Sequence, residues 1–192
     1  MKKNLKFEAA GSAASKPFQP RMVKMDYNGV LVSERMAEIM TMCERNNPIY
    51  EQVSSYSVAL YALGFIDCPD FMSFQDISAY EAADILNADF SEINFDEIPE
   101  DYHIAESKDR FLLVIGDPMF PKHFAVIADK GGNRPYFSKL PFFGAGYDSL
   151  IELVEEFAGI DGVTTNDFHF FQKNWYGQIP PSSKGKIYIV KD

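Results

Sequence analysis

The chain has 192 residues, with 18 Lys and Arg against 28 Asp and Glu, for a net charge of -10. That length corresponds to one domain at roughly 100–200 residues per domain, and it buries about 70% of the unfolded surface without a disulfide or metal staple. The acidic balance argues against a protein that holds nucleic acid by neutralising phosphates, and against a polybasic membrane-surface protein.

Lys2, Lys3 and Lys6 followed by the small residues 9–15 imitate a secretion signal. Glu8 stands where such a signal needs about 7–15 apolar residues, so residues 1–19 read as an arm and 20–192 as a single domain. The longest apolar run, Val58 to Ile66, contains Gly64 and falls well short of the ~18 residues of a membrane span. Two cysteines, Cys43 and Cys68, do not make a disulfide framework and suit a reducing cytoplasm.

Residues 21–32 read as a hairpin turning at Asn28-Gly29, a pair that accepts positive φ. Ser33 can cap a helix in which Met36, Ile39, Met40 and Cys43 form one apolar stripe. Pro48 suits the first turn of a second helix, with Tyr56, Leu60 and Leu63 as its stripe and Gly64 at its end. Ser73 or Asp76 can cap a third, running through Leu86 with small residues Ala79, Ala82 and Ala83. Residues 89–107 lose periodicity and turn acidic.

Strands follow at Arg110–Ile115, Phe124–Ala128 and Pro135–Lys139. Their short connections predict antiparallel pairing. Tyr147, Leu150, Ile151, Val154 and Phe157 make the stripe of a last helix ended by Gly159. The aromatic run Phe168, His169, Phe170, Phe171, Trp175 and Tyr176 reads as a short core strand, or as an anchor patch centred on Trp175. Lys186–Val190 reads as a final strand closing the sheet. The expected fold is α+β: an N-terminal hairpin and about three helices, then an antiparallel sheet of about four strands with one amphipathic helix packed on it.

Phosphate-loop, dinucleotide, nucleophile-elbow and zinc-ligand motifs are all missing from the sequence, so no cofactor or metal is expected. One constellation remains. Cys68 precedes the region expected to become the third helix, and His123 begins a strand after Gly116-Asp117. A thiol at a helix N-terminus beside a histidine is the pairing of a Cys–His hydrolase. The segment 67–140 resembles the papain-like cell-wall amidases, whose Cys opens a helix and whose His begins a strand after a Gly-Asp turn. The resemblance implies hydrolysis by Cys68 and His123, with Asn133 or Ser138 as the orienting group. The chain departs from that pattern where Pro69-Asp70 replaces Ser-Gly after the cysteine.

The charge is unevenly placed. Residues 46–107 carry 13 Asp and Glu and no Lys or Arg, which leaves +3 for the rest. Salt bridges within helices are impossible there. The densest piece, 84–106, interleaves acids with Phe90, Ile93, Phe95, Ile98, Tyr102 and Ile104, so it is expected to be ordered, apolar side inward. The favoured expectation is a binding protein, of inhibitor, immunity or adaptor type, that docks a basic protein, for which a nucleic-acid-handling one is a natural candidate, through Asp89, Glu92, Asp96, Glu97, Glu100 and Asp101, with Trp175 as an aromatic anchor. Direct nucleic-acid and membrane binding are not expected, and the oligomeric state is open.

Overall fold

The structure, a computed structural model, describes residues 29–45, 53–66, 71, 75–160 and 162–174. The architecture is α+β: four helices, α1 (Gly29–Met42), α2 (Ser55–Ala62), α3 (Ala79–Asp89) and α4 (Leu150–Phe157), with six strands. The strands are β1 (Phe90–Ile93), β2 (Phe111–Ile115), β3 (His123–Ile127), β4 (Tyr136–Lys139), β5 (Ala145–Asp148) and β6 (Phe168–Lys173). They form one antiparallel sheet in the order β1-β6-β2-β3-β4-β5.

Among the described residues the sheet therefore has six strands rather than about four, and the expected final strand Lys186–Val190 lies outside them. Two were unforeseen. β1 lies in the acidic stretch, where only four residues alternate and no helix-like or strand-like run is long enough to stand out. β5 contains Tyr147, which the helical stripe had claimed. Ser149 caps α4 instead, its side chain accepting from the Glu152 amide. The buried residues of α4 are then Leu153 and Phe157, while Leu150 and Ile151 are exposed.

Nor is the end of the expected hairpin a strand. Gly29, Val30, Leu31 and Val32 belong to the first turn of α1, and residues 21–28 lie outside the described residues. The β-branched valines favour a strand locally. Burial overrides them, because Val32 continues the stripe of Met36, Ile39 and Cys43, all buried. The expected cap Ser33 sits inside that helix.

α2 starts at Ser55, behind the cap Ser54. At its other end Gly64 takes a φ of 83°, and the Phe65 amide reaches back 2.8 Å to the Leu60 carbonyl. A glycine relieves the steric cost of that left-handed position. α3 begins later than expected. Ser78 caps it in a reciprocal box with Glu81, while Asp76 accepts from the Ser54 amide at 2.9 Å and from Ser57 Oγ at 2.5 Å. The residue offered as a helix cap thus ties the α3 approach to the start of α2.

β2, β3 and β4 are buried throughout, as the apolar runs in β2 and β3 predict for strands covered on both faces. Tyr56 of α2 meets the Phe124 ring edge-on at 5.1 Å on one face. Side chains alternate across a strand, so His123 points to the other face, where its ring lies 4.5 Å from Phe157 of α4. The helices α1 and α2 cover the first face around β3, β4 and β5. Tyr102 against Phe111 and Phe95 against Phe170, at 4.8 and 4.9 Å, extend the cover on the second.

The chain just after α1 runs against β5 at Gly144. A Cβ there would stand 2.1 Å from the Glu44 carbonyl oxygen, and neither side is a flexible side chain. Gly144→Ala is expected to destabilise the protein by about 1–3 kcal/mol, the cost of forcing backbone apart. Equilibrium urea unfolding measures this, and an unchanged midpoint would contradict the close approach.

Candidate functional site

The acidic stretch is held by its apolar members. Ile98, Tyr102 and Ile104 are 1–3% exposed, and Phe90 is also buried. Backbone bonds fix the loop to the β3–β4 connection: the Ile104 amide donates to the Ala128 carbonyl at 2.8 Å, and the Lys130 amide to the Tyr102 carbonyl at 3.0 Å. Tyr102 Oη donates to the Asp109 carbonyl at 3.1 Å. Burial pushes its pKa up, against the pull of Arg110. Arg110, almost fully buried, donates to the carbonyls of Ser107 and Asp109 at 2.7 Å each. A cation thus sits beneath the loop, spent on backbone oxygens rather than on carboxylates.

The carboxylates face out. Glu92, Asp96, Glu97, Glu100 and Asp101 are exposed, as are Asp84 and Glu106, and Asp89 is half-buried. Two meet cations from the basic remainder, and a third meets a histidine. Lys130 Nζ donates to Glu100 Oε1 at 2.7 Å and to the Ile98 carbonyl at 2.6 Å, while lying 4.6 Å above the Phe95 ring. His169 Nδ1 is 2.8 Å from Glu92 Oε1. Asp89 and Lys173 attract one another, yet burial moves both the opposite way: Asp89 upward, and Lys173 down to about 8.

Glu97 is turned to local structure. Its carboxylate accepts from the Asn94 amide and Nδ2 at 2.8 Å each, which holds its pKa below the usual range. Asp96, Asp101, Asp84 and Glu106 form no ion pair with a described residue. The structure therefore gathers the expected Glu92, Asp96, Glu97, Glu100 and Asp101 on one ordered, exposed stretch. Asp89 is set partly beneath it, and Trp175 lies outside the described residues.

The expected hydrolytic pair is less complete. His123 does begin a strand, β3, but Cys68 lies outside the described residues, and the helix expected after it opens at Ala79. The helix N-terminus that meets the start of β3 is that of α2. There Ser55 Oγ accepts from the Phe124 amide at 3.2 Å. The signal for it was Ser54-Ser55 ahead of the apolar run, which sequence reasoning passed over. Ser55 and His123 do not face one another, since Phe124 turns to α2 and His123 to α4. Cys43 is buried just past the end of α1, and burial pushes its thiol pKa up.

His123 is itself sealed, 1% exposed, with no described hydrogen-bond partner for Nε2. Desolvation, then the charges of Lys139 and Arg45, lower its pKa to about 3. Near it Asp148 takes a two-pronged ion pair from Arg45 at 2.6 and 2.7 Å, and Ser138 Oγ lies 3.3 Å from Asp148 Oδ2. Of the two orienting residues considered, Ser138 shares the buried side of the sheet with His123. Asn133 is exposed in the turn past the far end of β3.

Among the described residues there is no group of three or more His, Cys, Asp or Glu placed to hold a metal ion, and no helix long and apolar enough to cross a membrane. No protein family, no curated protein and no solved structure matches the chain.

Proposed function

We propose that the protein is a small acidic binding module, of inhibitor, immunity or adaptor type, that docks a basic protein through the surface formed by residues 84–106. One observation carries this: the exposed carboxylates Asp96 and Asp101, with Glu92, Glu97 and Glu100, stand on a loop pinned by buried Ile98, Tyr102 and Ile104. A fixed array of like charge is unfavourable for the free protein and becomes favourable when a cationic surface covers it. A partner whose own site is built for phosphates has the matching chemistry. A reducing cytoplasm suits the free, buried Cys43 thiol.

The Cys–His alternative has less support. A histidine whose pKa is lowered to about 3 is a weak base near neutrality, and Phe157 stands over its ring.

The test uses a deca-lysine peptide and two variants of equal charge. Replacing Asp96, Glu97, Glu100 and Asp101 by Asn or Gln is expected to weaken binding at low salt by roughly tenfold or more, at several tenths of a kcal/mol per exposed charge. Neutralising Glu34, Asp117, Glu155 and Glu156 instead is expected to change it much less. Equal losses in both variants, measured by titration calorimetry, would show that only net charge matters and would end the proposal.

A further inference from the structure

The acidic surface is crossed by an open sheet edge. β1 is the end strand of the sheet, paired only with β6 among the described residues. Its register sets Asp89 beside Asn174, and the Asn174 amide donates to the Asp89 carbonyl at 2.7 Å. Bonded and non-bonded pairs alternate along an antiparallel ladder. Ser91 opposite Gln172 and Ile93 opposite Phe170 are therefore the bonded pairs, and they turn inward. The backbone N–H and C=O of Glu92, and the C=O of Phe90, turn outward to the open edge. The Phe90 N–H is already spent on the Leu86 carbonyl.

The side chains along that edge divide by face. Glu92 lies on the face with His169. Ile93 lies on the other, half-buried, with Phe95 beyond it, 37% exposed and packed with tilted rings against Phe170. Exposed carboxylates flank the strand in sequence: Asp84 on α3 before it, Asp96 and Glu97 in the turn after it. An incoming strand meets main-chain hydrogen bonds at its centre, a carboxylate on one side and an apolar shelf on the other.

The geometry points to β1 as a strand-addition site for an extended segment of the basic partner, one that alternates Lys or Arg with apolar residues. This rests on the acidic docking surface proposed above and names the form of its ligand. Main-chain bonds supply the affinity in this mode and alternate side chains the specificity. Charge complementarity selects a basic segment, because an acidic one meets the exposed carboxylates of Glu92, Asp96 and Glu97.

The probe is a hexapeptide alternating Lys and Val, added to the full-length protein, with two relatives N-methylated at every second backbone nitrogen in either phase. Binding is expected to slow hydrogen exchange at the Glu92 amide. One methylated relative is expected to lose about tenfold or more in affinity, because its edge hydrogen bonds are gone. Glu92→Pro removes only an outward donor, a change edge strands accept, and is expected to lose more affinity than Glu92→Gln. Should the proline variant unfold, the methylated peptides still decide the matter.

Equal affinity for all three peptides with no slowing at Glu92 overturns strand addition and leaves charge docking standing. Binding of neither this peptide nor deca-lysine overturns both. A Glu92 amide already protected in the free protein means that the edge is occupied by the chain itself, and the proposal falls.

Discussion

Replacing Arg45 by Leu is expected to destabilise the protein by about 3–5 kcal/mol, the usual result of stripping the partner from a buried charge. Asp148 is 1% exposed, and Arg45 grips it with two hydrogen bonds at 2.6 and 2.7 Å while remaining 26% exposed itself. The guanidinium can lie there because Gly146 has no side chain: a Cβ would stand 3.0 Å from Arg45 Nε. Without the cation, the carboxylate keeps among the described residues one side-chain hydrogen bond, to Ser138 at 3.3 Å. Asp148→Asn is expected to cost less, since the cation left behind reaches water. The double change Arg45→Leu with Asp148→Asn is expected to cost less than the two singles summed. Urea unfolding of the four proteins closes the cycle. Additive effects, or a loss below about 1 kcal/mol for Arg45→Leu, the range of an exposed ion pair, would show that the pair does not tie the chain after α1 to β5.

Stability is expected to rise with pH across the range from about 3 to 6.5, and His123 is the cause. In the unfolded chain its imidazole takes a proton near pH 6.5, whereas burial beneath Phe157, with Lys139 and Arg45 nearby, delays this to about 3 in the fold. The unfolded state therefore binds more protons throughout that window, and linkage makes stability fall as pH falls. The full contribution is present above pH 6.5 and is lost on acidification, to a limit on the order of 5 kcal/mol. Because Nε2 has no described partner, His123→Phe is expected to change stability little at pH 7 while flattening the acid limb. His123→Leu does the same where the larger ring does not fit. Identical acid profiles for wild type and both variants would place the sensitivity elsewhere.

Legibility from sequence followed the range of the forces involved. β2 and β3 were readable because an unbroken apolar run has one common meaning when both faces of a sheet are covered, and β4 because a turn signal at 130–133 precedes it. The stripe of Met36, Ile39 and Cys43 was readable for a similar reason, that helical spacing survives whatever it packs against. Val30-Leu31-Val32 misled, since β-branched residues favour strands until burial of Val32 decides otherwise. β1 and β5 are four residues each, too short for alternation to register, and they exist because β6 and β4 present partners to them. That β6 would insert between β1 and β2 depends on contacts remote in sequence.

The site divides the same way. The absence of Lys and Arg from 46–107 is a property of sequence, as is the interleaving of acids with Ile98, Tyr102 and Ile104, and the burial of those residues follows it. That Lys130 would reach Glu100, or His169 reach Glu92, required the fold. So did the parting of Ser55 and His123 onto opposite faces of β3, which hangs on the pleat alone.

The most direct test of an ordered acidic docking surface is a two-dimensional NMR titration of the full-length protein with deca-lysine at low salt. The account predicts amide shift changes concentrated between Asp84 and Glu106 and reversed by added salt, as screening of exposed charges requires. Shift changes scattered over the acidic positions of the whole chain, or centred on another face, would contradict it.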